Sequence, residues 1–130
     1  MLVDSSMWID LLNQRSDDST ARLSIALQQG SARVVVPDLV AHEVLRGIGD
    51  GKRRQRAWQL LSSFHLVAIV GFDRARRAAD RYAELRSVSR TVRKANDVLI
   101  ASYCLDEGLP LLFSDRDFPH FVEHLGMRRA

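Results

Sequence analysis

Met1-Leu2-Val3-Asp4-Ser5-Ser6-Met7-Trp8-Ile9-Asp10-Leu11-Leu12 opens the chain, and its reading decides the fold. Leu2-Val3 is an apolar pair that runs straight into an acid, as a short buried strand ending at Asp4 does. Ser5 or Ser6 can cap a helix, because a serine hydroxyl accepts from an otherwise orphaned N–H of the first turn. Trp8, Ile9, Leu11 and Leu12 then supply its apolar side. Strand, acid and amphipathic helix in twelve residues form the first half of a βαβ unit.

The same grammar recurs along the chain. A helix over Asp18–Gln29 turns Leu23, Ala26 and Leu27 inward and stops at Gly30. A second strand runs over Arg33–Val36, before Pro37. Asp38 reads as the cap of a helix carrying Leu39, Val40, Val44 and Leu45, ended by Gly47, Gly49 and Gly51. Lys52–Phe64 is a basic amphipathic helix with Trp58, Leu60 and Leu61. Leu66–Val70 is a third strand. Asp73–Ser89 is a long helix with Arg74, Arg77 and Arg81 on one face. Asn96–Glu107 is an apolar helix closed by Gly108. Leu109–Phe113 is a fourth strand whose pairing starts after Pro110. Ser114–Asp117 is a turn, Phe118–Leu125 a last short helix, and a weak fifth strand lies near Met127. Alternating strands and helices predict an α/β fold with a mainly parallel sheet of four to five strands between helical layers, in one domain over residues 1–130.

Composition agrees with that class. Of 130 residues, 46% are hydrophobic and 27% charged, the balance of a soluble globular protein. No apolar run approaches the roughly 18 residues that span a bilayer, so no membrane association is expected. Asp4 and Asp10 interrupt the N-terminal region, which argues against a cleaved signal peptide. Cys104 has no internal partner and falls in an apolar helix, where packing is its expected role. These features suit the cytoplasm.

The net charge of +3 hides an asymmetry. Lys52 to Lys94 holds twelve Lys and Arg against three acids, a net of +9, and leaves −6 elsewhere. The basic window looks built to meet a polyanion. The acids are harder to explain in such a protein unless they hold a metal.

Asp4 ends the first strand, and Asp115 and Asp117 follow the fourth. Glu43 lies about one turn into the helix after the second strand. Asp97 opens the helix from Asn96, where the helix end favours negative charge. In an open parallel sheet, ligands bind beyond the carboxyl ends of the strands. Each acid alone has an ordinary role, as a cap, an exposed helix residue or a turn residue; Asp38 keeps that role. Gathered at one edge, the others repel, and burial worsens the repulsion. Mg²⁺ or Mn²⁺, hard cations that take oxygen ligands, would neutralise them. Other chemistry is poorly supported. His42, His65, His120 and His124 form no metal-ligand motif, with His120 and His124 reading as solvated. Serine-nucleophile, Walker and dinucleotide motifs are missing.

Four segments carry a resemblance. Val3-Asp4-Ser5-Ser6, Val40-Ala41-His42-Glu43-Val44, Lys94-Ala95-Asn96-Asp97-Val98-Leu99-Ile100-Ala101 and Phe113-Ser114-Asp115-Arg116-Asp117-Phe118, in this order, resemble a PIN domain, specifically VapC-type toxins of bacterial toxin–antitoxin pairs. The resemblance covers essentially the whole chain. It implies a three-layer α/β/α PIN-like fold and Mg²⁺-dependent endoribonuclease activity. It also implies a homodimer and inhibition by a cognate antitoxin. By the same resemblance Asp4, Glu43, Asp97 and Asp115 are the catalytic acids, and Asp4, Asp97 and Asp115 the metal ligands, supplemented by Asp117. Ser6 supports them through hydrogen bonds.

The expected reaction is in-line attack of water on an RNA phosphate beside the metal. Arg74, Arg77, Arg81, Arg93 and Lys94, with the Lys52–Arg56 cluster, are the expected phosphate contacts. A catalytically silent RNA- or protein-binding PIN-fold module is the principal alternative. A nuclease acting on DNA is chemically open. A receiver domain fits poorly, because the turn after Phe113 offers no lysine.

Overall fold

Leu2 and Val3 form strand β1, and both side chains are fully buried, as a central parallel strand requires. The computed structural model describes residues 1–15, 17–30 and 33–130. On one side β1 pairs with β2 (Val35–Pro37), and on the other with β4 (Leu111–Leu112). β3 (His65–Val67) lies beyond β2, giving the order β3-β2-β1-β4. Every ladder is parallel: Leu2 faces Val35 and Leu111, Val3 faces Leu112, and Val35–Pro37 face His65–Val67. The chain winds outward from β1 to β3, then adds β4 on the far side of β1. Strand order therefore reverses between β1 and β4, and ligands in such sheets sit beyond the carboxyl ends at that reversal.

Two groups of helices flank the sheet. α1 (Ser5–Leu12) packs on α2 (Asp18–Gln29) and α3 (Asp38–Arg46), and α3 on α4 (Gly51–Ser62). α5 (Phe72–Ser87) packs on α6 (Ala95–Glu107) and α7 (Pro119–Leu125). This is the three-layer α/β/α arrangement the sequence predicts. Between the layers lie Trp8, Phe118, Phe121, Met7 and Leu85, all fully buried. Trp8 stacks tilted on Phe64 with centroids 5.4 Å apart; truncating such an aromatic costs about 3–5 kcal/mol. Cys104 is core as expected, and burial pushes its thiol up to about 12, so it is not a nucleophile.

Several boundaries move for physical reasons. The N-cap of α1 is Asp4, not a serine, and its side chain makes no capping bond. Asp38 is the first residue of α3 rather than its cap; Oδ1 accepts from Leu39 N–H (2.9 Å) and from Ile69 N–H (3.3 Å). The third strand is His65–Val67 rather than the expected Leu66–Val70, because its partner β2 ends at Pro37, where α3 begins. The second strand begins at Val35 and keeps Pro37. The expected fifth strand near Met127 is one parallel bridge between Leu111 and Arg129. Gly108 ends α6 at φ 63, a left-handed conformation that glycine adopts at little cost.

Candidate active site

The backbone N–H of Asp4 donates to Leu112 C=O at 3.0 Å, so the β1–β4 ladder fixes the acid that ends β1. α1 starts at the next residue and carries Ser5 and Ser6 away over the same edge. Ser6 Oγ donates to Asp4 Oδ2 at 2.7 Å and lies 3.4 Å from Ser114 Oγ, past the end of β4. Ser5 Oγ donates to Glu43 Oε2 at 2.9 Å, and Asn96 Nδ2 to Glu43 Oε1 at 3.4 Å. Glu43 on α3 is thus held from α1 and α6 together. Asp97, in the first turn of α6, completes the acidic lining.

Asp4, Glu43, Asp97 and Asp115 line one cleft of about 270 Å³ with Ser5, Ser6, Ile9, Arg46, Gly47 and Lys94. The structure brings together the four acids expected from sequence. Ser6 lies with them, its hydroxyl bonded to Asp4. Asp4 and Asp97 are both 3% exposed, and one oxygen of each, Asp4 Oδ1 and Asp97 Oδ2, is buried without a hydrogen-bond partner. Such an oxygen costs free energy unless something cationic meets it. Burial, then the charge of Asp4, pushes Asp97 up to about 7. Burial also raises Asp4, against the hydrogen bond from Ser6 that lowers it. Burial alone would lower Lys94, but Asp97 and Asp115 outweigh it and raise the ammonium.

Asp117 sits beside the cleft rather than in it. Its Oδ2 accepts from Arg93 N–H (3.2 Å) and Nε (3.0 Å), and its own N–H donates to Asp115 Oδ1 at 3.0 Å. Burial would raise Asp117, but the bonds from Arg93 hold it below the usual carboxylate range. Even so, Asp97, Asp115 and Asp117 each offer an oxygen within 4.8 Å of the others.

The basic residues divide. Lys94 lines the cleft, its Nζ 3.4 Å from Asp115 Oδ2, and Arg93 lies at its edge. Arg74, Arg77 and Arg81, expected on a phosphate-facing stripe, are spent on α6. Arg74 pairs with Glu107 at 2.8 Å and stacks on Tyr103; Arg77 grips Asp106 with two bonds of 3.1 Å. Arg81 reaches Asp106 at 2.7 Å and Ser102 C=O at 2.8 Å. Helical spacing placed them on one face correctly, but sequence does not say that α6 covers that face. In the Lys52–Arg56 cluster, Arg53 bonds Asn13 and Arg54 bonds Ile48 C=O, while Lys52 and Arg56 are exposed. His124 is exposed as expected, whereas His120 is half-buried with an unpartnered Nδ1.

Sequence reasoning missed Ser5, Asn96 and Arg46. Ser5 and Asn96 adjoin two of the key acids, which is a usable signal. Arg46 is three residues after Glu43 and so shares its helix face.

Comparisons with known proteins give the family and the fold. The profile described as PIN domain matches residues 1–123. VapC ribonuclease Mb1587 of Mycobacterium bovis is 25% identical over 118 residues, covering 91% of this chain and 88% of the relative. Ribonuclease VapC11 of Mycobacterium tuberculosis matches equally. Among solved structures, a toxin–antitoxin complex from Klebsiella pneumoniae superposes with TM-score 0.69 at 23% identity, over 90% of this chain and 88% of that one. VapBC2 from Rickettsia felis, bound to a DNA fragment from its promoter, gives 0.77 at 15% identity, over 99% and 96%.

Proposed function

The chain belongs to the PIN-domain family, and we propose that it is an endoribonuclease, the toxin of a toxin–antitoxin pair, acting at the cleft of Asp4, Glu43, Asp97 and Asp115. The observation that carries this reading is the pair of buried, unpartnered oxygens on Asp4 and Asp97, two acids that line one cleft with Glu43 and Asp115. The donor set is all oxygen, which fits Mg²⁺ or Mn²⁺ and not a soft metal. Asp4, Asp97 and Asp115 would hold the cation, with Asp117 reaching it as a supplement. When bound, the cation lowers the pKa of a water and stabilises charge on a phosphate.

The chain's own residues do the positioning. Ser6 fixes Asp4 through one oxygen and leaves the other free. Ser5 and Asn96 hold Glu43 from opposite ends, so that it can orient the attacking water and take its proton. Asp117, locked by Arg93, aims Asp115 through its backbone N–H. Lys94, Arg93 and Arg46 at the rim are the cations best placed for RNA phosphates; Arg74, Arg77 and Arg81 contribute charge mainly to the α5–α6 seam.

The names of the relatives support RNA as the substrate, and the two complexes support an antitoxin partner. We assign residues 1–130 to one PIN domain that works as a homodimer in the cytoplasm. No described helix is long and apolar enough to cross a membrane.

The test is cleavage of a mixed cellular RNA pool with Mg²⁺ or with EDTA, beside Asp97→Asn. Cleavage that needs both the metal and Asp97 is the expected result. Cleavage under neither condition, by folded protein freed of antitoxin, would instead favour a silent binding module of the same fold.

A further inference from the structure

Lys94 breaks a local rule. It is the N-cap residue of α6, and its side chain makes no capping bond. Helix N-termini favour Asp, Asn, Ser or Thr there, and their partial positive charge opposes a cation. Local rules broken in this way concentrate at functional sites.

The offset lies in the cleft. Lys94 Nζ approaches Asp115 Oδ2 at 3.4 Å, the long end of hydrogen-bond range, and lines the same space as Asp4, Glu43 and Asp97. Its side chain is 62% exposed and otherwise unanchored, whereas the neighbouring Arg93 is pinned to Asp117 at 3.0 Å. A lysine stem of this kind moves easily; a guanidinium held by its fork does not. The ammonium's hydrogen bond goes to the outer acid, and it leaves Asp4 Oδ1 and Asp97 Oδ2 unpartnered.

We propose that Lys94 is a resident counter-ion, relieving repulsion in the metal-free cleft and competing with the divalent cation for Asp115. The inference rests on the reading of the cleft as a metal site. It makes Lys94 a positioning residue that sets how much free metal is needed before the site loads. A unit charge several ångströms from a divalent ion changes its affinity by roughly three- to tenfold at near-aqueous screening.

The test is direct Mn²⁺ binding to nucleic-acid-free protein, by calorimetry or by the electron spin resonance of free Mn²⁺, for the wild type, Lys94→Met, Lys94→Arg and Asp97→Asn. Melting temperatures in EDTA are read alongside. Lys94→Met should bind Mn²⁺ roughly three- to tenfold more tightly, yet melt lower in EDTA; Lys94→Arg should stay close to wild type. A purely structural role predicts the opposite melting shift, because methionine at this helix end removes a charge the dipole opposes. Mn²⁺ affinity that is unchanged or weaker in Lys94→Met overturns the proposal, as does an EDTA melt that is equal or higher. If Asp97→Asn loses Mn²⁺ while Lys94→Met does not move, only this inference fails. If wild type binds no Mn²⁺, or Asp97→Asn binds it equally, the metal-site reading fails and takes the inference with it.

Discussion

Asp97 and Asp106 stand on the same helix, nine residues apart, and have opposite surroundings. Asp97 lies in the first turn of α6, where the helix dipole favours its charge, yet burial and the charge of Asp4 push it up to about 7. Asp106 lies in the last turn, where the dipole opposes its charge. Burial would raise it further, but bonds from Arg77 and Arg81 hold it below the usual carboxylate range. One acid is surrounded by acids and keeps an orphan oxygen. The other is matched by arginines of α5. A folded chain satisfies a buried charge wherever nothing else is asked of it. Unmatched charge at a topological switch point marks the place where a ligand completes the structure.

The largest expected contrast follows from exchanging each carboxylate for its amide. Asp97→Asn should reduce RNA cleavage by about 10³-fold or more, since a metal supplies several kcal/mol of charge stabilisation and each 1.4 kcal/mol is tenfold. Asp106→Asn should leave cleavage near wild type while lowering stability by roughly 1–3 kcal/mol, through lost charge-assisted bonds. Single-turnover cleavage and denaturant melts on both variants check this. Equal losses of cleavage would erase the distinction between the two ends of α6.

The next contrast is the sign of the pH dependence. Asp97 has a folded-state pKa of about 7 against an ordinary 3.8. In metal-free protein it costs nothing below about pH 4, where folded and unfolded chains are both protonated. The cost grows as pH rises and is complete above about pH 7, reaching a few kcal/mol. Asp106 is shifted the other way, so its contribution is present above pH 4 and fades as pH falls below. In EDTA, Asp97→Asn should therefore raise the melting temperature at pH 8 and leave it unchanged at pH 4. Asp106→Asn should lower it at pH 8 and converge on wild type in acid. Saturating Mg²⁺ should remove most of the Asp97 penalty. Parallel pH profiles for the two variants would break the contrast.

The sequence makes one side of this contrast legible and hides the other. Asp4, Glu43, Asp97 and Asp115 could be placed because each follows a strand end or a helix start, and parallel topology sends those positions to one edge. Alternation predicts parallel pairing but not the order β3-β2-β1-β4, in which β4 returns to the far side of β1. Arg74, Arg77 and Arg81 could not be sorted, because periodicity gives the face a residue shares and not what covers it. Asp106 and Glu107, their partners, sit some thirty residues away. Strand ends are not legible where the partner decides them: β3 stops at Val67 because β2 gives way to α3 at Asp38.

A smaller effect probes the hydroxyl that prepares Asp4. Ser6→Ala removes the 2.7 Å side-chain bond to Oδ2 and loosens the hold on the Asp4 carboxylate. Groups that orient metal ligands contribute about 10- to 100-fold to affinity or activity. Cleavage should fall toward the lower end of that range, with more Mg²⁺ needed for half-maximal rate. The counterpart on the paired side is Ser102→Ala, which removes an Arg81 partner at 2.6 Å while Asp106 still holds that arginine. That variant should cut RNA normally. A tenfold loss from Ser102→Ala would mean that the α5–α6 seam reaches the chemistry.

The smallest contrast is between two arginines. Arg46 is exposed at the cleft rim and has no hydrogen-bond or ion-pair partner among the described residues. Arg77 is also half-exposed, but Asp106 already matches its charge at 3.1 Å. Binding a single-stranded RNA releases counterions in proportion to the phosphates neutralised, and the slope of log K against log salt falls by about 0.7 for each. On an Asp97→Asn background, which binds without cutting, Arg46→Gln should flatten the slope by about that amount. Arg77→Gln should change it by clearly less, because that guanidinium is already engaged by Asp106, which Arg81 continues to hold at 2.7 Å. Fluorescence anisotropy with a labelled oligoribonucleotide at several salt concentrations measures both. Equal slopes would show that an arginine bonded within the protein still counts toward the phosphate grip, and pairing would then no longer separate architecture from function.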